Sequence, residues 1–282
     1  MRPVVVAWLV RHGLPSLRWL VPDYFKLAVI AALASSVIAL RLAVRDRASQ
    51  VHTARAIACA YVGALAGGYV FEAVRALPMA LASGSWHSVL HPGRAAYGGL
   101  IGASASAALY LVATRQPVVE FFDRIAVGAG LSFTLVRTGC FLAGCDYGVP
   151  TAASVAVRFP PGSHAFRDHV ARGLIDPTAP ASLPVHPTQL YMAFAGLLLF
   201  LVLRLVPSRG DGRRFALLTL GYAALRGTIE LWRGDASRGA VGPFSTSQLL
   251  AVLTVIGVLV AWLVLRRRDV VSSSGVGDPS TR

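Results

Sequence analysis

The chain has 282 residues, 55% hydrophobic and 14% charged, with a mean hydropathy of +0.60, against about 25% charged residues in an ordinary soluble domain. That composition excludes a water-soluble globular fold and predicts one integral membrane domain. The formal charge of +14 is almost all arginine, Lys26 being the only lysine. These basic residues flank apolar runs, as the positive-inside bias and anionic headgroups require; with no aromatic-basic platform for stacking bases, they argue against nucleic acid as a partner.

The opening MRPVVVAWLVRHGLP has a short apolar stretch after Arg2 and no small-residue cleavage site. Residues 1–23 are therefore expected as an interfacial segment and not as a removable signal peptide. About 20 apolar residues cross roughly 30 Å of hydrocarbon, and runs of that kind occur at 24–44, 54–77, 97–114, 118–139, 189–206, 215–232 and 246–265. Their apolar residues run all round the helix, which at these lengths marks a span. The expectation is an all-α integral membrane protein with about seven transmembrane helices in one domain, 24–265. The arginines at 41, 45, 47 and 55, at 204, 209, 213 and 214, and at 266 to 268 set those connections on the cytoplasmic side. The N-terminus is then outside and the C-terminus cytoplasmic, with 266–282 a disordered tail. The longest connection, 140–188, is rich in Pro and Gly, faces outward and is too polar to span.

Ionisable residues in hydrocarbon cost about 2.5–3.5 kcal/mol each and are functional candidates by default. Glu72 and Arg75, three apart, suit a structural ion pair as well as a function, and Asp123 and Arg124 suit interfacial anchoring. The run GYAALRGTIELWRGD sets Tyr222, Arg226, Glu230 and Arg233 as a polar stripe along one helix face. Arg137 closes the fourth span, so two deep arginines from different helices are able to converge on an anionic group, and guanidinium forks suit phosphate. Entering the third span, Tyr97, Gly98, Gly99 and Gly102 precede a run of small residues. These glycines either pack helices closely or let backbone amides approach a headgroup. VHPTQLYMAF, entering the fifth span, offers His186 as a base or ligand, though Pro187 and Thr188 also make an ordinary helix start.

Three cysteines are too few for a disulfide scaffold. Cys59 lies in an apolar run and suits packing. Cys140 and Cys145 stand five apart in VRTGCFLAGCDYGVPT. Zinc needs about four ligands and no nearby cluster completes a site, which leaves a disulfide or two free thiols.

The glycine pair entering a span, the Arg-x-Gly segment closing the next, His-Pro-Thr-Gln-Leu-Tyr and Tyr-x-x-x-Arg-x-x-x-Glu-x-x-Arg stand in one order along the chain. Together they resemble bacterial prolipoprotein diacylglyceryl transferase, over about 24–265. The resemblance implies an inner-membrane enzyme, multi-pass, that moves the diacylglyceryl group of phosphatidylglycerol to the lipobox cysteine thiol of a preprolipoprotein. A thioether forms, glycerol phosphate leaves, and neither metal nor organic cofactor takes part. By motif position Arg137 and Arg226 correspond to the two essential arginines. Tyr222, Glu230, Gly148 and, in the first span, Tyr24 also match family positions. Catalytic roles are expected for Arg137, Arg226, Tyr97 and Tyr222, and substrate contacts for Tyr24, Gly98, Gly99, Gly139, Gly148, His186, Glu230 and Arg233. The family signature Gly-Arg-x-Gly-Asn-Phe-x-Asn-x-Glu-x-x-Gly is altered here. Val136 replaces the first Gly, Cys140 and Ala143 the two Asn, and Cys145 the Glu; Tyr97 stands for a His before the glycine pair and Met192 for a Glu. The roles of Cys140 and Cys145 are left open.

Overall fold

The computed structural model describes residues 1–12, 14, 23–90, 96–235, 240–241, 244–245, 252 and 255–257. Its elements are α1 (Arg2–Arg11), α2 (Tyr24–Arg45), α3 (Gln50–Ser83), α4 (His87–Leu90), α5 (Ala96–Ala113), α6 (Val118–Ala143), α7 (His164–Ala171), α8 (Thr188–Leu205) and α9 (Arg213–Ile229). A 3-10 turn, Glu230–Trp232, follows, and then a small hairpin in which β1 (Ala240–Val241) pairs antiparallel with β2 (Phe244–Ser245). Helices α2, α3, α6 and α8 are long and apolar enough to cross a membrane, and α5 holds a shorter apolar stretch. The chain is thus a helical membrane protein, departing from an all-α expectation among the described residues only in the hairpin and a few isolated bridges. Each of the first six apolar runs forms a helix; most of the seventh, 246–265, and all of 266–282 lie outside the described residues.

Helix α3 is longer than its apolar run. At 1.5 Å per residue its 34 residues extend ~51 Å, well past the roughly 30 Å of hydrocarbon. The Ser49 hydroxyl caps its start, accepting from His52 N at 3.3 Å, and the left-handed Gly84 (φ +70°) ends it by donating to the Ala80 carbonyl at 2.9 Å. A hydropathy pattern registers only the apolar middle, whereas these caps set the helix ends.

Contacts divide the chain into two compact units: Met1–Ser35, Ala126–Pro207 and Arg214–Arg282, and separately Ser36–Ile125 and Ser208–Arg213. In the second of these, α3 lies against α5 through glycine. A Cβ on Gly67 would stand 2.9 Å from the Gly102 Cα, and one on Gly102 3.0 Å from the Gly67 Cα, so only hydrogen fits at either position. The Ser106 hydroxyl donates to the carbonyls of Cys59 (2.8 Å) and Gly102 (2.7 Å). This is the small-residue mode of membrane helix packing. Ala39, Ala56, Ile57, Ala107, Leu111 and Phe121 form the unit's apolar core. Asp123 and Arg124 are buried within the unit: Asp123 accepts from Gly212 N at 3.1 Å and Arg124 pairs with Glu120 at 3.0 Å. Arg75 pairs with Glu72 at 2.8 Å, as the spacing suggests.

The first unit holds the start of α2, the second half of α6, α8 and α9. Ser35 Oγ donates to the Gly128 carbonyl at 2.7 Å and Ser132 Oγ to the Ala31 carbonyl at 2.9 Å, joining α2 to α6. Buried Arg214 donates Nε and Nη2 to the Val206 carbonyl at 3.0 and 2.7 Å, fastening the end of α8 to the start of α9. The segment 140–188 is ordered. Tyr147, Phe159, Ala165 and Val185 make its core, Ser163 caps α7 by accepting from Phe166 N at 3.2 Å, and Val157 and Pro150 bridge to Val185. The Tyr147 hydroxyl donates to Asp168; burial, the hydrogen bond and the charge of Asp168 together push the phenol well above its ordinary pKa.

The α3–α5 contact predicts that Gly102→Leu destabilises the protein by about 1–3 kcal/mol through overpacking, a fall of several degrees in the thermal midpoint of the detergent-solubilised chain. Ala105→Leu, on the exposed side of α5, should leave that midpoint within a degree or so.

Candidate active site

The site is built where α6 ends. Gly144 takes a left-handed conformation (φ +76°) and donates to the Cys140 carbonyl at 2.8 Å, terminating the helix. Asp146 is left-handed too (φ +54°), a conformation that Asp tolerates better than most residues. The turn brings the Asp146 carboxylate back onto its own helix: Arg137 Nη1 donates to Oδ2 at 2.6 Å. Arg233 Nη2 donates to the other oxygen, Oδ1, at 2.5 Å. One carboxylate therefore joins an arginine of α6 to one that follows α9.

The remaining charges complete the arrangement. Arg226 pairs with Glu230 one turn on, both side chains being more than nine-tenths buried. Arg233 also pairs with Asp235. Burial opposes the charged Arg233, but the Asp235 hydrogen bond and the charges of Asp146, Asp235 and Glu230 outweigh it and raise its pKa. The Tyr222 hydroxyl lies beside Arg137, and its ring stacks on Phe133 with centroids 4.4 Å apart. Between these groups opens a cleft with about 210 Å³ of atom-free space, its mouth included. Arg137, Arg226 and Arg233 line it together with Asp146, Thr188 and Gln189, while Met192 and Ile229 form an apolar wall.

Backbone contacts hold the cleft's rim. Gly148 N donates to the His186 carbonyl (2.9 Å), His186 N to the Val149 carbonyl (3.1 Å) and Val149 N to the Trp232 carbonyl (2.8 Å). A Cβ on Gly148 would lie 2.6 Å from the His186 Cβ and 2.7 Å from the carbonyl oxygens of His186 and Trp232, so the position requires glycine. Thr188 Oγ1 donates to the Asp146 carbonyl and Gln189 Nε2 to the Cys145 carbonyl, both at 2.6 Å.

Of the residues expected from sequence, Arg137, Tyr222, Arg226, Glu230 and Arg233 come together here. They do not form one helical stripe: α9 ends at Ile229 and tightens into the 3-10 turn, and Arg233 reaches the cleft from extended backbone (φ −80°, ψ 132°). Gly148 and His186 support the rim, and His186 Nδ1 meets the Tyr191 hydroxyl at 3.1 Å. Gly139 allows close approach of α2, since its Cβ would stand 3.0 Å from the Tyr24 Cα; the Tyr24 side chain is about half exposed. Gly98 and Gly99 lie in the other unit, facing Gly67 and Ala64 of α3. The Tyr97 side chain lies outside the described residues. Asp146, Gln189, Thr188 and Asp235 were not singled out from sequence. The available signal was Asp146 directly after Cys145, which returns a carboxylate one position beyond the lost family Glu.

Cys140 and Cys145 are free thiols. Their sulfurs and an Asp146 oxygen lie within 4.8 Å of one another, three donors where zinc takes four, and both Asp146 oxygens are engaged by arginines. The hydrogen bond from Cys140 lowers the Cys145 pKa against the opposing effect of burial.

Fold and cleft define a helical membrane protein with a guanidinium-lined pocket between its helix ends. The chain belongs to the Prolipoprotein diacylglyceryl transferase family, which matches it over residues 17–264. It is similar to the phosphatidylglycerol–prolipoprotein diacylglyceryl transferase of Clostridium tetani, 34% identical over 57% of this chain and 59% of that one. A transferase of the same name, numbered 2, from Clostridium perfringens is 32% identical over 57% and 58%. The one from Symbiobacterium thermophilum is 32% identical over 65% and 66%. The chain thus spans about three fifths of the length of the first two relatives.

Two expectations follow. Asp146→Ala should destabilise the protein by about 1–3 kcal/mol, near the lower end because its side chain is a quarter exposed; thermal melts of wild type and variant measure this. With its pKa lowered, Cys145 carries more thiolate at neutral pH than an ordinary thiol and should alkylate ahead of buried Cys140. In Cys140→Ala the hydrogen bond is gone and the Cys145 pKa rises. Its alkylation rate at pH 7 should then fall several-fold, with the rate profile moving to higher pH, as mass spectrometry over a pH series would record.

Proposed function

We propose that the protein transfers the diacylglyceryl group of phosphatidylglycerol to the lipobox cysteine thiol of a preprolipoprotein, forming a thioether and releasing glycerol phosphate. The convergence of Arg137, Arg226 and Arg233 on one cleft carries this reading, and the family and the names of the relatives support it. The acceptor sulfur attacks the glycerol carbon that bears the phosphate. The carbon–oxygen bond breaks, the electron pair leaves with the phosphate, and the thiol proton passes to a base. Guanidiniums already fixed by Asp146, Glu230 and Asp235 meet the charge that grows on the departing oxygens without reorganising. Tyr222 stands beside Arg137, and the motif position of Tyr97 makes it the group that assists the acceptor thiol. Tyr24, Gly139, Gly148 and His186 shape the substrate's surroundings, and Gly98 and Gly99 serve the helix packing seen in their unit.

The proposed setting is the bacterial inner membrane. Seven spans run between 24 and 265, with the N-terminus and the segment 140–188 outside and the C-terminal tail cytoplasmic, and residues 1–23 lie along the interface.

Purified protein given phosphatidylglycerol and a lipobox peptide should yield thioether-lipidated peptide by mass spectrometry; no product beside an active relative would overturn the proposal. Arg137→Ala and Arg226→Ala should each lower turnover about 100-fold or more, and Lys at either position should not restore it, because the bidentate fork is lost. Neither cysteine lines the cleft, so the double Cys140→Ser/Cys145→Ser variant should keep activity within about tenfold; complete loss would instead assign a thiol to the chemistry.

A further inference from the structure

Gln189 stands out among the cleft residues. Its side chain is fully buried and lines the cleft, and Nε2 donates to the Cys145 carbonyl at 2.6 Å. That bond fixes the amide's orientation, because the flipped amide would set two oxygens against each other. Among the described residues Oε1 then has no hydrogen-bond partner. Buried polar atoms left unpaired are rare and call for an explanation. Oε1 only accepts, so its partner must be a donor, and the occupant must also suit a wall of guanidiniums.

We infer that Gln189 selects the lipid headgroup: Oε1 accepts a hydrogen bond from a headgroup hydroxyl beside the phosphate held by the arginines. The assignment rests on the cleft being the phospholipid site proposed above. Other headgroup chemistries fit worse. A terminal phosphate monoester offers mainly acceptors and would meet Oε1 lone pair to lone pair. A quaternary ammonium has no N–H to give, and a primary ammonium would bring positive charge among Arg137, Arg226 and Arg233. An uncharged polyol esterified to an anionic phosphodiester supplies both the charge and the donor. A site that hydrogen-bonds a substrate hydroxyl rejects the analogue without it, because the protein's own polar group is then left buried and unpaired.

The test pairs lipid and protein changes. Full-length wild type and Gln189→Leu, in detergent, are compared for binding phosphatidylglycerol and phosphatidylpropanol, which keeps the phosphodiester and the three-carbon chain but has no free hydroxyl. Wild type should bind phosphatidylglycerol tighter by about tenfold or more, and in Gln189→Leu the ratio should fall to within about twofold. A wild-type ratio near one overturns the inference. So does a variant that weakens both lipids equally, since Gln189 would then only hold the Cys145 turn. If Gln189→Leu does not fold, Gln189→Met keeps the side-chain length, and the wild-type ratio judges the hydroxyl contact with no variant. Selective phosphatidylglycerol binding without peptide lipidation would remove the proposed transferase reaction and leave this inference standing; lipidation with no preference between the two lipids would do the reverse.

Discussion

One carboxylate shared by two arginines sets the geometry of the site. Asp146 holds Arg137 on one oxygen and Arg233 on the other, so the end of α6 and the chain after α9 are fixed relative to each other. The neighbours of Asp146 depend on the same turn. Thr188 binds the Asp146 carbonyl, Gln189 the Cys145 carbonyl, and Gly148 meets His186 and Trp232 closely enough to exclude any side chain. Within four residues, 145–148, the chain thus anchors the start of α8, the approach to α8 and the turn after α9. Shifting this turn would move both arginines and the Gln189 amide at once.

The membrane helices were legible in the sequence because their signal is additive: each run of apolar residues declares itself without reference to any other. Arg137 and Arg226 were legible for the opposite reason, as charges isolated in apolar surroundings. Two kinds of information were not. Helix ends are set by local caps, so α3 outruns its apolar stretch and α9 stops short of Arg233. The other kind is pairing at a distance. Matching position by position made Cys145 a lost carboxylate, while the left-handed turn at Asp146 returns a carboxylate one residue later. Sequence spacing along a helix does not describe a chain that has left the helix. For Gly98 and Gly102 the close-packing reading likewise had no observation behind it until α3 supplied a facing pair of glycines.

The charge balance explains how three arginines share a largely buried cleft. Asp146, Glu230 and Asp235 match Arg137, Arg226 and Arg233 in number and pair with them, which offsets the desolvation that an isolated buried charge could not survive. A balanced cleft projects little long-range field, so an anion is retained there by directed N–H bonds more than by net attraction. Each guanidinium carries five N–H groups in a fixed plane, and a carboxylate on one edge leaves the plane's orientation set before a ligand arrives.

Met192, where the motif resemblance expects a Glu, bears on the same charge balance. Met192 and Ile229 line the cleft together with the arginines and pack with Ala195 and the Tyr222 side chain. A carboxylate in that wall would add a negative charge beside the three arginines and shift the charge balance of the cleft. A thioether there adds no charge, and in a less polar environment each charged hydrogen bond of the guanidiniums is worth more. With Asp146 already holding two arginines in place, their orientation does not need a carboxylate at 192, and an uncharged residue there leaves the cleft lining more apolar.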